Sequence, residues 1–210
     1  MVSAVIIANS DFGDYASALI DSILFHEQKI EIILIDNASR KPYRKNARYN
    51  RVRLNEPVGY SKALNIGAKE SSGDWLLFLN DDVLTFDRFT QKIERLDRNA
   101  IYGLNIRTKK PKWGTGFFIH YLHGWLQVMH RKIYKKIGPF DENLKYFGLD
   151  DIDFGWRAEQ LGIKIKVVDF PFVHIDVHRR MKRAGFYEQM EVSKQYFIEK
   201  VKKEREKNVR

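Results

Sequence analysis

Cysteine is missing from all 210 residues, which excludes disulfides and thiolate-held metals alike. Missing too is any apolar run approaching the roughly 20 residues needed to span a bilayer. The first strand-like stretch, Ser3-Ala4-Val5-Ile6-Ile7-Ala8, has neither a basic leader before it nor a cleavage site. A cytoplasmic protein, or one at the inner face of the membrane, is expected. Internal repeats and low-complexity linkers are also absent, and a hydrophobic content of 44% can bury one substantial core, so a single domain is expected rather than two.

Acidic residues are scarce in two places, and this accounts for the net charge of +10. Arg40 to Asn55 carries seven Lys or Arg and no acid, and Arg179 to Arg210 carries eleven against five Glu, leaving the remaining residues at −3. Two local basic segments on a mildly acidic body do not describe a general nucleic-acid binder. The first segment reads as a solvated face or a phosphate-facing patch. The second, with Phe186, Met190, Phe197, Ile198 and Val201 among its cations, reads as a basic helix lying on an anionic membrane or docked on the domain.

What is present alternates between strand and helix. Ala16, Leu19, Ile20, Ile23 and Leu24 recur at helical spacing, and the apolar run Ile30 to Ile35 ends in Asp36-Asn37-Ala38-Ser39, giving a β-α-β unit with a parallel strand pair. A helix over about Ser61 to Ser72 follows, then a strand from Trp75 to Leu79. Phe86, Phe89, Ile93 and Leu96 predict another helix, and Ile101 to Ile106 another strand.

The strand Leu77-Phe78-Leu79 runs directly into Asn80-Asp81-Asp82. Such residues are common in ordinary turns. At the carboxyl end of a strand in an open α/β sheet, however, they stand where ligands bind, and adjacent carboxylates suit a divalent cation carrying a diphosphate. A second acidic run, Asp150-Asp151-Ile152-Asp153, stands at an expected helix start and could simply complement the helix dipole. Asp151 and Asp153, two residues apart, cannot share a helix face; Asp153 is placed to pair with Arg157, which leaves Asp151 as the candidate general base.

In order along residues 3 to 178, Ile35-Asp36-Asn37-Ala38-Ser39, Asn55-Glu56-Pro57-Val58-Gly59-Tyr60-Ser61-Lys62-Ala63-Leu64-Asn65-Ile66-Gly67, Leu79-Asn80-Asp81-Asp82, Ile137-Gly138-Pro139-Phe140-Asp141-Glu142 and Asp150 to Arg157 resemble the inverting nucleotide-sugar glycosyltransferases of the GT-A fold, the large family 2-like group. The resemblance implies a single Rossmann-like α/β domain over residues 1–178, with a mostly parallel central sheet flanked by helices. Its nucleotide part would cover about 1–107 and its acceptor part about 108–178, with 179–210 as a basic C-terminal helical extension.

It further implies a nucleoside diphosphate sugar donor, a saccharide or lipid-linked acceptor, and Mn2+ or Mg2+; peripheral membrane association is expected only from the residues of the C-terminal helix, with docking on the domain as the equal alternative. Asn9, Asp36, Gly59, Lys62, Asn80 and Asp81 would contact the donor, Asp82 and His174 would hold the metal, and Asp151 would activate the acceptor. The chain departs from the pattern at Asn80 and Asp150, where Asp and Glu are usual, and at Ile175-Asp176-Val177-His178, which makes His178 a rival ligand. Trp113, Tyr121, Trp125 and Tyr146 fall on the acceptor side, as sugar platforms or as core. The competing class is a non-catalytic nucleotide-binding protein or an RNA binder using the basic segments.

Overall fold

The computed structural model describes residues 1–110, 114–144, 148–175 and 185–208. In chain order its elements are β1 (Val2–Ala8), a short 3-10 turn at Ser10–Phe12, α1 (Tyr15–His26), β2 (Glu31–Asp36), β3 (Asn50–Arg53), α2 (Tyr60–Glu70), β4 (Trp75–Asn80), β5 (Val83–Thr85), α3 (Thr90–Glu94) and β6 (Ala100–Gly103). There follow β7 (Ile106–Lys109), β8 (Ile119–Leu122), β9 (Leu126–His130), α4 (Arg131–Ile137), α5 (Asp150–Gln160), β10 (Lys164–Val167), β11 (Phe172–His174) and α6 (Phe186–Asn208).

Seven strands form the central sheet in the order β10-β6-β9-β4-β1-β2-β3. Every neighbouring pair is parallel except those made by β9, which runs antiparallel between β4 and β6. Side chains alternate across this sheet as the strand pleat requires. Ala4, Ile6, Leu77 and Leu79 face α1 and α3 with Leu19, Ile23 and Ile93. Val5, Ile7, Leu76 and Phe78 face α2, α4 and α5 with Leu64, Ile133 and Phe154. Both faces being covered, the strands read as continuous apolar runs.

Two expected elements differ. The helix expected from Phe86 is only the single turn Thr90–Glu94, because β5 and its outgoing loop occupy the chain up to there, and the Glu27 carboxylate seats its start by accepting from the Phe89 and Thr90 N–H groups. Phe86 itself is exposed. The strand expected over Ile101 to Ile106 splits: β6 joins the main sheet, while Ile106 begins β7, which pairs with β8 in a separate ribbon. A second ribbon pairs β5 with β11 antiparallel, Val83 opposite His174.

The basic segment Arg40 to Asn55 contains an element unforeseen from sequence, the edge strand β3. Several of its arginines make contacts within the fold. Arg53 pairs with the buried Asp36 at 3.0 Å, and Arg48 donates to the Leu24 carbonyl.

The C-terminal α6 lies on the domain. Phe197 and Val201 are fully buried in a third apolar cluster with Ile119, Leu144, Leu149, Ile152 and Trp156. No helix of the described residues is long and apolar enough to cross a membrane.

Candidate active site

The carboxyl ends of β1, β2 and β4 in the sheet, the ribbon strand β11, and the starts of α2 and α5 supply the candidate residues. β1 delivers Asn9, whose side-chain amide donates to the Asn37 carbonyl at 2.9 Å. β2 delivers Asp36 and Asn37. The Asn37 side chain clamps the approach to α2, accepting from the Val58 N–H at 2.9 Å and donating to the Val58 carbonyl at 3.0 Å. Gly59 then caps α2, and Lys62 projects from its first turn into solvent.

Asp36 is completely buried, accepting from the Ser39 and Tyr43 N–H groups as well as from Arg53. Its carboxylate is therefore engaged in holding the Ser39–Tyr43 loop. The cavity beside that loop, about 800 Å3, is lined by acids as well as cations, among them Asp11, Asp14, Arg40 and Arg48. Arg40 is already paired with Asp11 at 3.1 Å, so the segment does not form a purely cationic patch.

β4 delivers the cluster. Asn80 accepts from the Tyr60 hydroxyl at 2.8 Å, and Asp81 and Asp82 form the buried turn into β5. The β5–β11 pairing brings His174 across to Asp82, with imidazole Nε2 2.9 Å from Oδ1. The Ile175 N–H donates to the Asp82 carbonyl and locks the register. Residues 92 apart in sequence thus meet through a three-residue ribbon.

These two donors suit a divalent cation of the Mg2+ or Mn2+ kind, which takes only one or two protein ligands and leaves the remaining positions to substrate phosphates and water. No group of three or more His, Asp or Glu side chains that could hold a metal occurs among the described residues.

The acidic helix completes the edge. Gly148 and Leu149 both adopt positive φ, 86° and 78°, just before α5. Such backbone in leucine is strained and persists only where the surroundings enforce it; burial of Leu149 against α6 and its neighbours does so here. Gly155, in the middle of α5, allows that helix onto β8, since a Cβ there would lie 2.7 Å from the His120 carbonyl oxygen.

On the first turn, Asp153 binds Arg157 at 2.8 Å and also Lys200 of α6 at 2.6 Å. Asp151 points elsewhere, but is not free of contacts: it accepts from the Gly124 N–H at 3.0 Å and from the Ile152 N–H at 2.9 Å. Burial, followed by the charge of Asp150, raises its pKa to about 7. A carboxylate so tuned is basic enough to take a proton and still ionises near neutral pH.

The chain's residues 3–150 match the sequence model of the glycosyl transferase family 2. The chain belongs to that family. Among relatives, the O-antigen biosynthesis protein RfbC of Myxococcus xanthus is 22% identical, covering 77% of this chain and 16% of that protein. The fold is shared with solved structures. GalNAc-T7 with UDP, GalNAc and Mn2+ superposes with a TM-score of 0.68 at 16% identity, covering 80% of this chain and 41% of that one. The mannosyltransferase PcManGT of Pyrobaculum calidifontis, in complex with GDP-Man and Mn2+, gives 0.59 at 15% identity, covering 80% and 54%. S. aureus TarS 1-349 gives 0.60 at 14%, covering 91% and 64%. The family 2 chain thus spans less than two thirds of each of these proteins.

Within this family 2 domain, several contributors went unrecognised in the sequence. Asn37 clamps the α2 entry, Tyr60 holds Asn80, and Lys200 neutralises Asp153 from α6. Only Asn37 carried a local signal, standing beside Asp36 at a strand end. Tyr121 and Trp125 are both largely buried, 8% and 9% exposed. The rival ligand His178, like Trp113 and Tyr146, lies outside the described residues.

Proposed function

We propose that this domain is a metal-dependent, inverting glycosyltransferase that moves a sugar from a nucleoside diphosphate sugar to a hydroxyl of a saccharide or lipid-linked acceptor. The observation that carries the reading is the meeting of Asp82 with His174 at the carboxyl edge of a mostly parallel sheet, with Asp151 tied to the head of the adjacent strand β9. The RfbC relative and the nucleotide-bound neighbours point the same way.

Asp82 and His174 would hold Mn2+ or Mg2+, which when bound supplies charge neutralisation for the departing diphosphate. Asn9, Asp36, Gly59, Lys62, Asn80 and Asp81 would form the donor side, with Asp36 acting through the loop it organises. Lys62, exposed on the first turn of α2, adds a cation beside a helix start, where anions are favoured.

Asp151 would take the acceptor hydroxyl proton as the new bond forms at the anomeric carbon. The bond from that carbon to the diphosphate oxygen breaks with its electron pair going to the diphosphate, and single displacement inverts the anomeric centre.

The test is a thermal-shift screen of UDP-, GDP- and dTDP-sugars with Mn2+ and with chelator. Ligand at 100 times its dissociation constant stabilises by about 2.7 kcal/mol. At least one donor should do so only with metal, and Asp82→Ala should abolish the effect. Equal stabilisation under chelation, or an unchanged metal requirement in Asp82→Ala, sinks the assignment.

A further inference from the structure

A metal-binding histidine is normally aimed by a hydrogen bond from its other ring nitrogen to a carboxylate or carbonyl. His174 lacks that restraint: its Nδ1 is buried and finds no hydrogen-bond partner among the described residues. What touches the ring instead is Trp125. The two rings are stacked, 13° from parallel with centroids 5.1 Å apart, and both side chains are largely shielded from solvent.

The same residue reaches the other half of the pair through its backbone. The Trp125 carbonyl accepts the Asn80 N–H at 3.0 Å, fixing the end of β4 two residues before Asp82. One residue earlier, the Gly124 N–H holds Asp151 at 3.0 Å, and a Cβ at Gly124 would press on that side chain at 3.3 Å.

We propose that Trp125 is a positioning residue for the Asp82–His174 pair. Its indole face sets the plane of the imidazole, so that Nε2 is directed at the cation site, while its carbonyl anchors the strand from which Asp82 turns. The proposal rests on the reading of Asp82 and His174 as metal holders. A flat ring restrains rotation about the imidazole's own axes without competing for the metal. An aliphatic side chain of similar volume would fill the space but leave the ring plane undefined.

The experiment measures Mn2+ affinity of the whole chain, with UDP and GDP both present, from the electron paramagnetic resonance signal of free Mn2+. Wild type should bind and Asp82→Ala should not. Trp125→Leu should weaken binding by roughly 10- to 100-fold, the usual cost of losing a group that orients a ligand. Trp125→Phe, which keeps a flat face, should restore most of it. In a His174→Ala background, Trp125→Leu should cost no further affinity.

Wild-type affinity in Trp125→Leu, or an equal loss in both backgrounds, overturns the proposal, the latter because Trp125 would then act on the fold alone. Should Trp125→Leu fail to fold, Trp125→Met, which fills the space without a flat face, takes its place beside Trp125→Phe: Mn2+ affinity lowered in Trp125→Met and kept in Trp125→Phe supports the proposal, and equal affinity in the two overturns it. Failure of wild type to bind Mn2+ at all removes the underlying metal reading and this proposal with it.

Discussion

Asp151 shows how neighbours convert an ordinary carboxylate into a candidate base. Burial and Asp150 raise its pKa from 3.8 to about 7, opposed by the Gly124 and Ile152 N–H groups. Transfer should therefore rise with pH along an acid limb near 7, because the base acts only when deprotonated. Asp150→Asn removes the nearby negative charge and should move that limb to lower pH, as read in a pH–rate profile. Asp151→Asn should keep donor binding and lose transfer by roughly 100- to 10,000-fold. The stability sign is opposite to that of most acids. Between about pH 4 and 7 the folded state holds a proton the unfolded state has released, so this group's contribution to stability falls as pH rises. Asp151→Asn should flatten that slope in melts taken across the range.

Among the elements, α6 is the one whose role changes most with tertiary context. Its exposed cations would suit an anionic surface, but the apolar residues that would enter a membrane, Phe197, Ile198 and Val201, are buried. Lys200 is inserted between Asp141 at 2.8 Å and Asp153 at 2.6 Å. Removing one partner from a buried ionic cluster leaves charge uncompensated, so Lys200→Met should cost about 3 kcal/mol in denaturant melts. Burial opposes ionisation of Asp141, but Lys200, Asn143 and Tyr196 outweigh it and bring its pKa to about 2. Since that lies below the unfolded value of 3.8, the stability it contributes is present above about pH 4 and is lost as pH falls toward 2. Truncation before Phe186 should therefore lower the melting temperature sharply, with Phe197→Ala alone costing about 3 to 5 kcal/mol. A truncated protein that melts like wild type would mean that the helix is an appendage.

At the scale of the whole molecule, β9 ties the second half of the chain into the sheet built by the first. It follows β6 in the chain by more than twenty residues, yet runs between β4 and β6 in the sheet. A fragment ending at residue 107 would leave both strands with unpaired inner edges, which are costly to expose and prone to association. Such a fragment should show no cooperative melt and little amide protection in β4, whereas protection equal to that of the full chain would refute the dependence.

Much was legible along the chain because the signals are local. The apolar strands, the helical spacing of Leu19 and Ile23, and the carboxylates of Asp82 and Asp151 at element ends announce themselves within a few residues. The Asp153–Arg157 pair was likewise readable, because four residues make one helical turn. Tertiary structure alone decided that β9 enters the sheet antiparallel, that His174 meets Asp82 through a short ribbon, that Trp125 stacks on that histidine, and that Lys200 makes α6 part of the domain. Each of these joins residues distant in sequence, and their partners are selected by packing and by the need to satisfy buried charge, which no spacing along one chain records.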